Sequence, residues 1–259
     1  MILTSNSKIG IVIPARLSSK RLPGKVLKKF LGMPMIEHVW QRAQLTNPLL
    51  ETVIATDSVE IKKIVEKFGA IAILTSENHI NGLSRVGEII NQLQWDHYLI
   101  LQADEILIEP KSLDLLARTT LSNSLFQFFN LITKLENLTE IDDVNIVKCL
   151  MRKDNSIITM ARKSNSIAPG STQIGYTNKI SGVFSCSRNL IDKLVSTPVQ
   201  RIEKAESIEQ MKVIELGFNI LGVHIKENYP SVNTNKDAIA ALSFLQNDTK
   251  QKSILNFYL

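Results

Sequence analysis

Four cations, Arg16, Lys20, Arg21 and Lys25, fall within residues 16–25, and no acidic residue lies among them. Guanidinium forks and ammonium groups at this density suit a polyanion, with a nucleoside triphosphate the natural guest. Ala15, Ser18, Ser19 and Gly24 are small and would let backbone approach a ligand closely. The spacing is neither that of a Walker A loop nor that of GxGxxG, so the stretch has to be read on its own residues. A basic run alone most often marks a solvated loop; the missing acids and the small residues favour binding. Further along, Gln102-Ala103-Asp104-Glu105 sets two carboxylates directly behind an apolar run. Mg2+ takes one or two carboxylates together with phosphate oxygens, so Asp104 is a candidate ligand. A turn aspartate capping the next helix is the plainer alternative. Arg85, in the polar stretch 75–85, offers a fixed fork for a carboxylate or a phosphate. Glu203, Glu206, Glu209 and Gln210 recur near i, i+3 and i+4, so several share one helix face, either solvated or turned to a ligand.

These residues need a scaffold, and the hydrophobic pattern supplies one. Ile9, Ile11, Val12 and Ile13 read as a strand buried on both faces of a parallel sheet and ended by Pro14. The basic loop follows, with Pro23-Gly24 as turn punctuation. Residues 35–43 have helical spacing, 51–56 read as a strand, 58–68 as a helix stopped at Gly69, and 70–74 as a third strand. This β-α-β-α-β alternation predicts an α/β fold with a doubly wound, mostly parallel, Rossmann-like sheet. In such sheets ligands sit beyond the carboxyl ends of the strands. The loop after the first strand and Asp104 after the strand 98–101 both come to that edge. A helix is expected from about Val86, another from Pro110, and a last one opened by Asp237. Strands are expected over 126–133, 145–150 and 157–162. A smaller mixed sheet/helix lobe is expected from about 124–215, within a single domain spanning 1–259.

At 259 residues the chain can bury the core of one large α/β domain, and 44% hydrophobic with 21% charged residues describes an ordinary globular protein. The net charge is +5, but the basic residues are scattered, without a long tract or aromatic interleaving, so no nucleic-acid partner is expected. Cys149 and Cys186 have no metal spacing and form no disulfide framework, which points to a reducing cytoplasm. The opening MILTSNSK has no apolar core of a leader, and no apolar run approaches the roughly 20 residues that span a bilayer. No membrane association is expected.

The string from Ile13 to Leu27, IPARLSSKRLPGKVL, resembles the opening motif of the sugar nucleotidylyltransferases that activate acidic sugars with CTP. The nearest likeness is to the 3-deoxy-manno-octulosonate (Kdo) cytidylyltransferases. Gly32-Met33-Pro34-Met35-Ile36 and His38-Val39 continue it, and it extends over nearly the whole chain. The resemblance implies that an anomeric hydroxyl attacks the α-phosphorus of CTP and pyrophosphate leaves, with Mg2+ as cofactor, for lipopolysaccharide or capsule synthesis. It implies catalytic roles for Arg16, Arg21, Lys25 and Asp104, and CTP contacts from Pro14, Ala15, Arg16, Lys25, Thr75, Ser76, Gly82 and Gln102. Arg85, Gln102, Glu209 and Gln210 would meet the sugar, and Asp104 with Asn233 would hold the metal. It further implies a homodimer formed through the smaller lobe. His79 matches the motif around 75–85, where a base-binding role and a plain capping or surface role both stay open. Lys148 and Arg162 could face the sugar or simply flank strands. No general base stands out.

The chain departs from that pattern at several places. Asn81 and Leu83 replace a serine and a threonine, Ala103 and Ile106 a glycine and a proline. Ile180 stands where the family has a histidine near the sugar, and an apolar side chain cannot donate to a carboxylate or hydroxyl. Asn233 replaces the second metal-binding aspartate, removing one charge from the site. Two alternatives therefore stand beside the main reading. One is a different acidic sugar, such as 8-amino-Kdo or a nonulosonic acid; the other is a non-catalytic nucleotide-binding paralogue.

Overall fold

Alternate residues of β1 (Ile9–Ala15) enter different cores. Ile11 and Ile13 join one apolar cluster and Val12 the other, and the strand is buried along nearly its whole length. A strand apolar on both faces needs helices above and below, which is the doubly wound arrangement. The computed structural model describes residues 7–19, 21–163 and 168–259. Lys20 of the basic loop lies outside the described residues.

A short hairpin, β2 (Lys29–Phe30) and β3 (Met33–Pro34), follows the loop. The remaining strands are β4 (Thr52–Thr56), β5 (Ile71–Leu74), β6 (His97–Leu101), β7 (Phe128–Lys134), β8 (Lys148–Met151), β9 (Ile157–Ala161), β10 (Asn178–Ser187) and β11 (Ile220–His224). They form one sheet in the order β11-β7-β10-β6-β1-β4-β5. Every pairing along it is parallel except those of β10, which runs antiparallel to both β6 and β7. From β1 the chain steps outward through β4 to β5, then returns to the other side of β1 at β6. That reversal opens a crevice beyond the carboxyl ends of β1 and β6.

The helices are α1 (Met35–Gln44), α2 (Val59–Lys67), α3 (Gly82–Ile89), α4 (Pro110–Ser122), α5 (Thr139–Asp142), α6 (Gly170–Gln173), α7 (Arg188–Ser196), α8 (Arg201–Glu206), α9 (Met211–Glu215), α10 (Asn235–Asn247) and α11 (Thr249–Leu255). Ile36 and Val39 of α1, Ile61 of α2, Leu113 of α4 and Ala238 of α10 pack on one face of the sheet. Val86 of α3, Leu190 of α7 and Val213 of α9 pack on the other. Within 124–215, β7 and β10 belong to the main sheet, while β8 pairs with β10 and carries β9.

Several expected boundaries move, each for a local reason. Pro14 does not end β1; it sits opposite Ala55 of β4. Ile11 donates toward the β4 side, to Glu51 O at 2.8 Å, so by alternation the missing N–H of Pro14 falls on the β6 side. There the ladder has already ended at Val12↔Ile100. The helix expected from Val86 begins at Gly82, because Asn81 caps it by accepting from Ser84 N. Strand β8 starts only at Lys148, since Ile146 N turns back to Asp143 O. The helix face expected through Glu203, Glu206, Glu209 and Gln210 is broken into two helices: Ser207 adopts φ 53 and ends α8, and residues 208–210 turn before α9. Among the described residues no helix is long and apolar enough to cross a membrane.

Candidate active site

Gly24, at φ 64, lets the basic loop fold back into a single 3-10 turn at Lys25–Leu27. This turn aims Lys25 across the crevice at the end of β6, where its Nζ lies 2.6 Å from Asp104 Oδ2. The same ammonium donates to Val232 O at 3.2 Å, and Val232 N donates to Asp104 O at 2.9 Å. The two segments that the sequence brings to one sheet edge are thus tied at one point to a third, around Val232. The Lys25 and Asp104 side chains are 16% and 12% exposed, open enough for an arriving anion to compete for the ammonium. Arg16 is exposed and makes no hydrogen bond to a described residue. Arg21 reaches the other rim of the crevice, donating to Asn145 Oδ1 at 2.5 Å and Asn233 Oδ1 at 2.7 Å.

Inside this charged rim lies a buried wall. Gln102 donates from Nε2 to Glu209 Oε1 at 3.0 Å, and Leu83 N, in the first turn of α3, donates to Glu209 Oε2 at 2.9 Å. Burial first, with Glu203 and Asp104 adding to it against the Leu83 and Gln102 hydrogen bonds, pushes the Glu209 carboxyl up to about 7. Glu105 turns into the protein, its Oε1 accepting from Gly182 N at 2.6 Å and Ser231 Oγ at 2.8 Å. Burial and then the Asp104 charge raise it too to about 7, against those hydrogen bonds. A Cβ at Gly182 would stand 2.7 Å from Glu105 Oε1, so only glycine allows this approach. Pro14 and Gly82 meet on the same wall, where a Cβ on Gly82 would lie 3.1 Å from Pro14 Cγ; Ala15 is buried in the core on the other face of the sheet.

Other expected site residues are placed differently. Arg85 is 3% exposed; its guanidinium pairs with Asp57 Oδ2 at 2.7 Å and donates to Thr75 Oγ1. It orders the loop after β5 and turns away from the crevice. Thr75 is half-buried beside it, while Ser76 is exposed and its N–H donates to Glu88. His79 also bonds Glu88, which favours loop ordering over base binding. Gln210 is buried and donates to Asn130 Oδ1 at 3.2 Å. Lys148 gives its ammonium to three backbone carbonyls, those of Asp143, Ile146 and Arg162. Arg162 donates to the carbonyls of Val144, Glu206 and Ser207. Sequence reasoning gave Ser231 no role, matched Asn145 only as part of the Asn145-x-Val147-Lys148 motif without a site role, and named Glu105 only as a neighbour of Asp104. Two adjacent acids just past the end of an apolar strand were the available signal for Glu105.

The donor set fits a divalent cation only in part. Asp104 is a hard carboxylate at the strand end, and its Oδ1 carries no hydrogen bond among the described residues. Among those residues no three His, Cys, Asp or Glu gather as a metal site, so a cation here would need substrate oxygens as well. The Asn233 oxygen, by contrast, is turned to a guanidinium.

An ammonium paired with a carboxylate at the strand ends, flanked by arginines and backed by the Gln102 amide and the Glu209 carboxyl, suits a nucleotidyltransferase of the α/β class. Residues 10–220 match the cytidylyltransferase family model, and the chain belongs to that family. It is 34% identical over 232 residues to a 3-deoxy-manno-octulosonate cytidylyltransferase from Chlorobium limicola, across 88% of this chain and 93% of that one. An 8-amino-3,8-dideoxy-manno-octulosonate cytidylyltransferase from Shewanella pealeana is 30% identical over 233 residues, 88% of this chain and 95% of that one. Among solved structures, a CMP:2-keto-3-deoxy-manno-octonic acid synthetase complexed with CTP matches with a TM-score of 0.86 at 28% identity. That match covers 93% of this chain and 100% of the other.

Proposed function

We propose that this enzyme transfers CMP from CTP to Kdo, releasing pyrophosphate and supplying an activated acidic sugar for lipopolysaccharide or capsule. The observation that carries the reading is the Lys25–Asp104 pair at the crevice between β1 and β6, in which Lys25 ends the IPAR…RLPGK string. In such a displacement the protein mainly positions the reactants and stabilises charge. Lys25, Arg21 and Arg16 hold the β- and γ-phosphates and then the departing pyrophosphate. Gln102 and Glu209 present an amide and a carboxyl near neutrality to the sugar hydroxyls. Pro14 and Gly82 shape the nucleotide's floor. Asp104 is the residue that would hold Mg2+, which when bound with CTP supplies further neutralisation of phosphate charge. The same reading takes the protein to be a cytoplasmic homodimer, with sugar and subunit contacts drawn mainly from 124–215.

Ile180 favours a second reading, in which a related acidic sugar is used. It is partly buried against the apolar cluster around β10, where it offers no hydrogen-bond donor. The test is pyrophosphate release with CTP, Mg2+ and Kdo, run beside other nucleoside triphosphates and acidic sugars, 8-amino-Kdo included. Release with CTP and Kdo is the expected result. Release only with another sugar moves the specificity to the pocket around Ile180, and silence with every pair refutes transfer.

A further inference from the structure

Among the described residues Arg21 pairs with no carboxylate. Its two terminal nitrogens donate to two neutral amide oxygens, Asn145 Oδ1 at 2.5 Å and Asn233 Oδ1 at 2.7 Å. Each amide is in turn backed by an acid that stops one step short of the guanidinium. Asn145 donates from its N and Nδ2 to Asp143 Oδ1, at 2.8 and 3.1 Å. The backbone N of Asn233 donates to Asp237 Oδ2 at 3.0 Å. The nearby cation, Arg162, has its guanidinium committed to the carbonyls of Glu206, Val144 and Ser207. Arg21 is thus held at both nitrogens with no carboxylate paired to it among the described residues, at the crevice that holds the Lys25–Asp104 pair.

A carboxylate at position 233 would do two things that an amide does not. It would neutralise Arg21 through a charge-assisted pair, and it would add a second anionic oxygen for a divalent cation. The amide aligns the fork and leaves its charge for a ligand. Its oxygen already faces a cation, which makes it a poor place for another.

We propose that Asn233, together with Asn145, is a positioning residue that holds Arg21 in its charged, ligand-ready geometry, and that it is not a metal ligand in this chain. The proposal rests on the reading of the site as one for CTP. Its consequence is that part of the triphosphate's charge is met by a fixed guanidinium where a second acid would otherwise meet it through metal.

The test is calorimetric titration of CTP in EDTA, with Asn233→Ala, Asn233→Asp, Arg21→Ala and the Arg21→Ala/Asn233→Ala double variant, and with melting temperatures recorded for each. Arg21→Ala is expected to weaken metal-free CTP binding by about tenfold or more, as for a lost hydrogen bond to a charged group. Asn233→Ala should weaken it roughly three- to tenfold and add nothing in the Arg21→Ala background. Asn233→Asp should weaken metal-free binding while tightening Mn2+ binding to the nucleotide-free protein, and Asn233→Ala should leave Mn2+ binding unchanged. Additive losses in the double variant, or wild-type CTP affinity with weakened Mn2+ binding in Asn233→Ala, overturn the proposal. If the wild type takes up no CTP either in EDTA or with Mg2+, the functional reading falls instead, and the same variants titrated with inorganic tripolyphosphate decide the Arg21 clamp by the same criteria.

Discussion

The two walls of the crevice hold their polar groups by opposite means. On the basic-loop wall Arg16 and Arg21 are exposed, and Lys25 keeps one partly open ion pair. On the inner wall Glu105 and Gln210 are buried, the Glu209 carboxyl is tucked between Gln102 and α3, and the Glu105 Oε1 and both Glu209 oxygens are met by amides or a hydroxyl. Exposed charge contributes little to stability because water and salt screen it, yet it is available to a phosphate. Buried hydrogen bonds fix geometry at a cost in desolvation, and that cost is visible in the two raised carboxyls. The first wall should therefore matter to the reaction far more than to the fold, and the second to both.

The sharpest way to break that contrast is at Lys25. Lys25→Ala should lower kcat/KM for pyrophosphate release by about 10²–10³-fold, the scale of losing one charge-stabilising donor. The melting temperature should fall by less than about 3 °C, since the lost pair is partly open to solvent. A melt that drops in step with activity would make Lys25 a structural tie between the basic loop, β6 and Val232, and the two walls would no longer differ.

Glu209→Gln probes the other wall and should have a smaller effect. The carboxylate accepts from both Leu83 N and Gln102 Nε2, whereas a glutamine can face only one of them with its oxygen. The KM for the sugar should rise about tenfold while the KM for CTP stays within about twofold, since the loss is confined to one partner's hydrogen bonds. Equal rises in both constants would mean that the inner wall serves the whole crevice and not one substrate.

The difference between the walls also marks what could be read in advance. The strand–loop sequence at 9–25 and the apolar run before Asp104 located the sheet edge, because both depend on local hydrophobic pattern. The alternation that fills two cores from β1 was equally local. What escaped was the pairing of side chains distant in sequence: Arg21 and Asn145 are 124 positions apart, Arg21 and Asn233 are 212 apart. Arg85 was read as a free fork because Asp57 belongs to a different strand-end loop, 28 residues earlier. The helix face drawn through Glu203, Glu206 and Glu209 failed at Ser207. Its left-handed backbone turns Glu209 inward toward Gln102, an outcome that no helical wheel contains.

Stability against pH gives the finest test of the inner wall. The folded protein holds the Glu105 and Glu209 protons more tightly than the unfolded chain does, with values near 7 against 4.5. The stability that this protonation carries is therefore complete below about pH 4.5 and drains away as pH rises toward 7. His38, lowered from 6.5 to about 4 by burial, pulls the opposite way across much of that range, gaining stability as pH rises. The informative quantity is thus the difference between the wild type and a Glu105→Gln/Glu209→Gln variant, in which His38 cancels. Glutamine mimics the protonated acid, so the variant should gain on the wild type by roughly 10 °C in melting temperature between pH 5 and pH 7.5. Parallel melting curves across that interval would mean that the two carboxyls ionise as easily in the fold as outside it, and the inner wall would then be as open to water as the basic loop.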